Sequence, residues 1–130
     1  MSAGGGDPAA GLFERIGEER LRAVVAAFYR RVPEDDLLGP MYPDHDYAGA
    51  EERLADFLLY RLGGVPRYIE TRGHPRLRMR HAPFPVDVAA RDRWMRLMGD
   101  ALTECEVEDP PRERLVAFLG DVATFLVNRR

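Results

Sequence analysis

Two of the three histidines lie in an arginine-rich stretch, HPRLRMRHAPF, at positions 74–84. If Pro75 opens a short helix there, Leu77 and His81 lie on the same helical face, one turn apart. Pro83 then ends that helix, so the imidazole of His81 stands on its last turn. An imidazole in this position can direct one ring nitrogen at a metal while a nearby carbonyl orients its other N–H. The neighbouring arginines suit carboxylates at the rim of the same pocket.

A zinc site made by side chains alone is the first alternative for these histidines. Structural zinc sites use about four Cys or His ligands at recognisable spacing. The chain has three histidines and the single Cys105, with neither a CxxC nor an HExxH motif. We therefore interpret His45 as an ordinary surface or core residue, and His74 as a capping or surface residue. A central metal with carboxylates at its periphery describes haem better than it describes zinc.

The composition predicts one small acidic domain without bulk affinity for nucleic acid or membranes. Of the 130 residues, 45% are hydrophobic, and the formal net charge is −3. No apolar run approaches the roughly 20 residues that a bilayer span needs. Because Cys105 is the single cysteine, no internal disulfide can form, and we expect a cytoplasmic protein. Residues 1–11 are mostly small and glycine-rich, and we expect a flexible N-terminal extension there.

The elements that must position these residues are predicted to be helices. Apolar residues recur at helical spacing in four long segments, and no alternating pattern is long enough to predict a strand. Proline or glycine follows the first two segments, and prolines precede the last. The four predicted helices cover about residues 21–32, 47–62, 87–105 and 111–126. The sequence therefore predicts an all-α domain.

The connections argue against a plain up-down bundle. Loops in helical bundles usually run to about 2–8 residues. The stretch between Gly63 and Asp87 is far longer, and it contains two of the three histidines. Long irregular segments inside a compact domain are commonly functional, so we expect this one to form part of a site.

These segments together resemble the second group of the truncated haemoglobins. In order and spacing, the similarity is carried by AGAEERLADFL (48–58), the glycine pair at 63–64, YIETRGHPRLRMRHAPFPV (68–86) and RDRWMRLM (91–98). FYRRV (28–32) and MYP (41–43) match upstream. The resemblance covers about residues 12–128, and its most specific part is RMRHAPF followed by the tryptophan. It implies a truncated globin, a two-over-two helical sandwich around haem b (iron protoporphyrin IX).

The resemblance also implies a role for particular residues. His81 matches the proximal ligand of the haem iron. The other side of the iron is expected to carry three polar side chains, which we call the distal group: Tyr29, Tyr42 and Trp94. Haem-pocket positions are matched by Phe28, Ala50, Leu54 and Phe57. Neighbours of the haem propionates are matched by Arg53, Tyr68, His74 and Arg80. The chain departs from the family pattern at Glu18, where many relatives have a second glycine, and at Leu62, where some carry tryptophan.

The expected function is binding of O2, and of other diatomic ligands such as CO and NO, at ferrous iron. Several hydrogen-bond donors in the distal group imply slow O2 release. Oxygen, nitric oxide or peroxide redox chemistry, or ligand sensing, then fits better than bulk transport. The sequence leaves open whether the protein has peroxidase-like or nitric oxide dioxygenase-like activity. It also leaves open whether an unidentified reductase is a partner, and whether the protein is a monomer or a homodimer. The alternatives are a peroxidase-type haem enzyme and a cofactor-free helical interaction module whose aromatic residues only fill a core.

Overall fold

A computed structural model describes Ala9, residues 11–63, Leu77, His81 and residues 85–129. These residues form five α-helices: α1 (Leu12–Ile16), α2 (Glu18–Arg31), α3 (Tyr47–Arg61), α4 (Val88–Glu104) and α5 (Pro111–Phe125). Three short 3-10 helices lead from α2 to α3: Val32–Glu34, Gly39–Met41 and Pro43–His45. No strand occurs in the described part of the chain, and the prediction of an all-α protein is confirmed.

Capping side chains and a proline mark the beginnings of three helices. Asp46 precedes α3, and its side chain accepts a hydrogen bond from the Gly49 N–H at 2.9 Å. Asp87 caps α4 in the same way through the Ala90 N–H at 2.8 Å. Each such cap contributes about 1 kcal/mol. Pro111 opens α5, where its missing N–H removes no helical hydrogen bond.

The corner between α1 and α2 depends on one glycine. Gly17 has φ 92°, a conformation that L side chains rarely adopt, and it is followed directly by Glu18 in the first turn of α2. The departure that the sequence has at Glu18 therefore leaves the corner intact, because a single glycine makes the turn. The Phe13 N–H donates to the Leu62 carbonyl at 2.9 Å, which holds α1 against the end of α3.

The core forms where α2 packs against α3 and α4, and where α4 packs against α5. Apolar side chains at helical spacing supply it, and burial of each large one stabilises the fold by about 1.5–3 kcal/mol. The largest fully buried side chains include Phe28, Leu21, Leu58, Leu59, Met98, Leu102 and Leu115. None of the described helices is long and apolar enough to cross a membrane.

Candidate functional site

A cavity of about 360 Å³ is lined by residues of α2, α3, α4 and α5, the segment 38–43, and Leu77 and His81. This volume lies in the range of about 300–1,000 Å³ that is typical of small-molecule and cofactor sites. Most of the lining is apolar, and α5 contributes one wall through side chains such as Leu119 and Val122. The cavity can therefore take a largely apolar group.

His81 enters this cavity with one ring nitrogen already occupied. Its Nδ1 lies 2.8 Å from the backbone carbonyl oxygen of Leu77, one helical turn earlier. A carbonyl oxygen can only accept, so Nδ1 carries the proton and donates it. In the neutral ring, the lone pair is then on Nε2. The ring orientation and tautomer are those that a metal-ligating imidazole needs.

The residues that follow α5 fasten the chain next to His81. The Asn128 side chain donates from Nδ2 to the His81 carbonyl at 3.3 Å and accepts at Oδ1 from the Val86 N–H at 2.9 Å. The Asn128 N–H in turn donates to the Val86 carbonyl at 2.8 Å. Val86 itself lines the cavity. Asn128 therefore ties residues on both sides of the segment 82–85 to the end of α5.

The distal group comes together in the same cavity from three different elements. Tyr29 lies on α2, Tyr42 between two 3-10 helices, and Trp94 on α4, and all three line the cavity. The hydroxyl oxygens of Tyr29 and Tyr42 are 3.3 Å apart, within hydrogen-bonding distance. The Trp94 side chain also interacts with the Tyr42 hydroxyl.

Burial keeps both tyrosine hydroxyls protonated. It raises the pKa of Tyr29 well above the ordinary value of 10.0, and the neighbouring Tyr42 raises it further. Burial also raises the pKa of Tyr42, against smaller lowering effects of its hydrogen bonds with Tyr29 and Trp94. At neutral pH each hydroxyl is therefore an O–H group that can donate a hydrogen bond, as can the indole N–H of Trp94.

Of the other side chains singled out in the sequence, some line the cavity and some do not. Four of them line the cavity: Ala50, Arg53, Leu54 and Phe57. Phe28 is fully buried behind the wall, with its ring centroid 4.9 Å from those of both Tyr29 and Trp94. His45 is exposed and does not contribute to the lining.

Arginine side chains supply the positive charge of the lining. Arg53 lies 3.9 Å from Asp46 and is about half exposed. Arg91, which the sequence reading did not single out, donates to the Thr124 hydroxyl at 3.3 Å. The remaining expected neighbours of a propionate lie outside the described residues: Tyr68, His74 and Arg80.

The sequence reading also missed the α5 wall and the apolar residues of the segment 38–43. The α5 residues were recognised as an apolar face, but periodicity alone does not distinguish a face that packs in a core from one that lines a cavity. Together, these side chains form an apolar chamber with one oriented imidazole, three polar donors and arginines. This donor set fits haem, which needs one axial imidazole, apolar walls and cations for its carboxylates.

Comparison with known proteins gives matches along nearly the whole chain. The bacterial-like globin family matches residues 11–128. The group 2 truncated hemoglobin YjbI of Bacillus subtilis (strain 168) is 40% identical over 117 residues, which cover 90% of this chain and 88% of that protein. The group 2 truncated hemoglobin 3-1 of Lotus japonicus is 34% identical over 89% of this chain and 71% of its own length. The solved structure of the truncated oxygen-avid haemoglobin from Bacillus subtilis superposes with a TM-score of 0.86 at 40% identity, covering 90% of this chain and 98% of that one.

Proposed function

Because the chain belongs to the bacterial-like globin family as a group II truncated haemoglobin, we propose that it binds O2 in the cavity described above, through a haem b held by His81. The family and the truncated-globin fold expected from the sequence are confirmed. Membership of this family implies a haem cofactor and small gaseous ligands such as O2. The particular residues, the haem type and the physiological role are our proposal.

The proposed iron ligand is Nε2 of His81. When bound, haem supplies a ferrous iron that holds diatomic gases and gives O2 a partial negative charge. The hydrogen bond from Nδ1 to the Leu77 carbonyl fixes the ring and increases the electron density on the opposite nitrogen. Leu54 and Phe57 would pack against the macrocycle and keep water from it. Arg53 is the described candidate for a propionate, with Tyr68, His74 and Arg80 as further candidates from the sequence.

The distal group would hold O2 by hydrogen bonds. The indole N–H of Trp94 and the hydroxyls of Tyr29 and Tyr42 are donors at neutral pH, and each can face a partial negative charge. A hydrogen bond to a charged acceptor contributes about 1.5–3 kcal/mol. We therefore propose slow O2 release, and the Bacillus subtilis relative is likewise described as oxygen-avid. Slow release favours oxygen, nitric oxide or peroxide redox chemistry, or ligand sensing, over transport.

One observation carries this proposal: an imidazole with its Nδ1 already hydrogen-bonded shares a single cavity with three polar donors. The experiment that tests it is measurement of O2 association and dissociation on the reduced, haem-loaded protein. The expected result is an intense haem absorption band, reversible O2 binding and slow dissociation. Protein that stays colourless with haem supplied would favour the cofactor-free module. Rapid turnover of peroxide with a reducing substrate would favour the peroxidase-type enzyme.

A further inference from the structure

The polypeptide between α2 and α3 carries Tyr42 to the cavity along a continuous run of hydrogen bonds. We call residues 35–42 the distal segment. The Gly39 N–H donates to the Asp35 carbonyl at 3.0 Å, and the Tyr42 N–H donates to the Gly39 carbonyl at 3.5 Å. The Met41 N–H donates to the Leu38 carbonyl at 3.0 Å. The position of Tyr42 therefore follows from the position of Asp35.

The Asp35 carboxylate anchors the first turn of the distal segment. One oxygen accepts from the N–H groups of Leu37 at 3.1 Å and Leu38 at 2.8 Å. The other accepts from the Arg93 guanidinium at 2.7 Å. Only 8% of the Asp35 side chain and 27% of the Arg93 side chain are exposed. A charged hydrogen bond shielded in this way contributes more than an exposed pair does.

Arg93 immediately precedes Trp94 on α4, so the ion pair connects the distal segment to the helix that carries another member of the distal group. The middle of the distal segment is also closely packed. A Cβ added to Gly39 would lie 3.1 Å from the Val32 carbonyl oxygen, so the backbone of Gly39 packs closely against that of Val32. The contact between Tyr42 and Trp94 is thus supported by the contact between Asp35 and Arg93.

We propose that Asp35 and Arg93 are positioning residues that hold the Tyr42 hydroxyl in place for the bound gas. They do not line the cavity, and they act through the distal segment. This inference rests on the proposed hydrogen bonding of O2 by the distal group. Its consequence is that a change at Arg93 alters O2 release only while Tyr42 has its hydroxyl.

The chain offers two matched controls for this pair. Asp36 accepts from the same Arg93 nitrogen at 3.0 Å, but its side chain is 92% exposed, and such surface pairs contribute little. Glu104 joins α4 to α2 by ion pairs with Arg31, at 2.7 Å, and with Arg30, both of which precede the distal segment. Asp36→Asn and Glu104→Gln therefore each remove more exposed ion pairs and leave the hydrogen bond between Arg93 and Asp35 in place.

The test is a comparison of O2 and CO dissociation rates for Arg93→Met and both controls, in the wild-type and the Tyr42→Phe backgrounds. Arg93→Met should speed O2 release by about twofold to tenfold, the effect of one weakened hydrogen bond, with little change for CO. In the Tyr42→Phe background it should have no further effect, because coupled residues are not additive. Asp36→Asn and Glu104→Gln should leave both rates unchanged. Arg93→Lys, which keeps a cation, should fall between wild type and Arg93→Met and replaces it if that variant does not fold.

Two further measurements on the CO-bound protein do not depend on gas kinetics. Arg93→Met should speed hydrogen exchange at the Leu37 and Leu38 amides and should shift the C–O stretching band, and Glu104→Gln should do neither. An equal change in O2 and CO release, or the same effect with and without the Tyr42 hydroxyl, would overturn the inference alone. If Tyr42→Phe by itself leaves O2 release unchanged, the proposed role of Tyr42 is wrong and the inference fails with it.

Discussion

Replacing Trp94 with phenylalanine separates its packing from its hydrogen bonding. The Trp94 ring packs against Phe28 with centroids 4.9 Å apart, and a phenyl ring at the same position can keep most of that contact. The substitution removes the indole N–H, which is the donor that we propose for bound O2. If Trp94 acts only through its bulk, the release of all gases should respond in the same way.

The expected size of the effect follows from the charge on the acceptor. A hydrogen bond to a charged group contributes about 1.5–3 kcal/mol, and about 1.4 kcal/mol corresponds to a factor of ten. Trp94→Phe should therefore speed O2 dissociation by roughly tenfold to a hundredfold. Bound CO carries much less negative charge, so its release should change less. The Tyr42 hydroxyl loses its Trp94 partner in this variant and can turn toward the ligand, which favours the lower end of the range.

Stopped-flow mixing of the reduced protein measures both rates, with CO displacing O2 and NO displacing CO. Adding Tyr29→Phe to Trp94→Phe should widen the difference between the two gases, because the Tyr29 hydroxyl lies 3.3 Å from that of Tyr42 and helps to hold it. Leu97→Val changes a buried side chain on the same helix that does not line the cavity, and it serves as the packing control. Equal acceleration of O2 and CO release by Trp94→Phe would show that the indole acts by bulk alone.

His81→Gly should abolish the bond between protein and iron, and added imidazole should partly restore the ferrous spectrum. His45→Ala, the control, should leave the ferrous spectrum unchanged. A wild-type ferrous spectrum of His81→Gly without added imidazole would disprove the ligand assignment. The O2 dissociation rate should show no transition with a midpoint at or below pH 10.0, because burial raises the pKa of both Tyr29 and Tyr42 above that value. A midpoint below pH 10.0 would contradict their role as protonated donors. For Asp35, burial alone would raise the carboxyl pKa, but the hydrogen bonds from Leu38, Arg93 and Leu37 outweigh it and hold the pKa below the ordinary 3.8. The charged Asp35 carboxylate therefore stabilises the fold fully above its ordinary pKa of 3.8, and this stabilisation is lost as the pH falls through the lowered pKa of the folded protein. Asp35→Asn should lower the urea midpoint more at neutral pH than at about pH 2, and an equal loss at both would refute the linkage.

The long helices could be predicted because their signals are local. Apolar periodicity and flanking proline or glycine place α2 to α5 to within three residues of the structure. The five residues of α1 are too few to express a period, and that helix was missed. The four predicted helices leave residues 33–46 as a connecting loop, yet Pro33, Pro40 and Pro43 each lie in the first turn of a 3-10 helix. Proline has the φ that a 3-10 turn needs and also occurs in irregular loops, so these prolines alone do not distinguish a loop from a 3-10 helix.

The site was predictable only in part, because much of it depends on contacts between distant residues. The setting of His81 on a short helical turn can be read locally. The pairing of Asp35 with Arg93 spans 58 residues, and nothing in one sequence indicates it. Phe28, which the resemblance matches to a haem-pocket position, is fully buried and absent from the cavity lining, because successive helical residues such as Phe28 and Tyr29 point in different directions.

The hydrogen bonds of Asn128 bear on how this protein could be mounted on a sensor or an electrode. Asn128 holds the Val86 backbone and the His81 carbonyl, so a surface linker joined just beyond it would transmit its load to the backbone of the residue that we propose as the iron ligand. A linker at Ala117, which is exposed on α5 and absent from the cavity lining, would leave those hydrogen bonds unloaded. For immobilised protein, an attachment point on the outer face of α5 therefore leaves the backbone around His81 undisturbed.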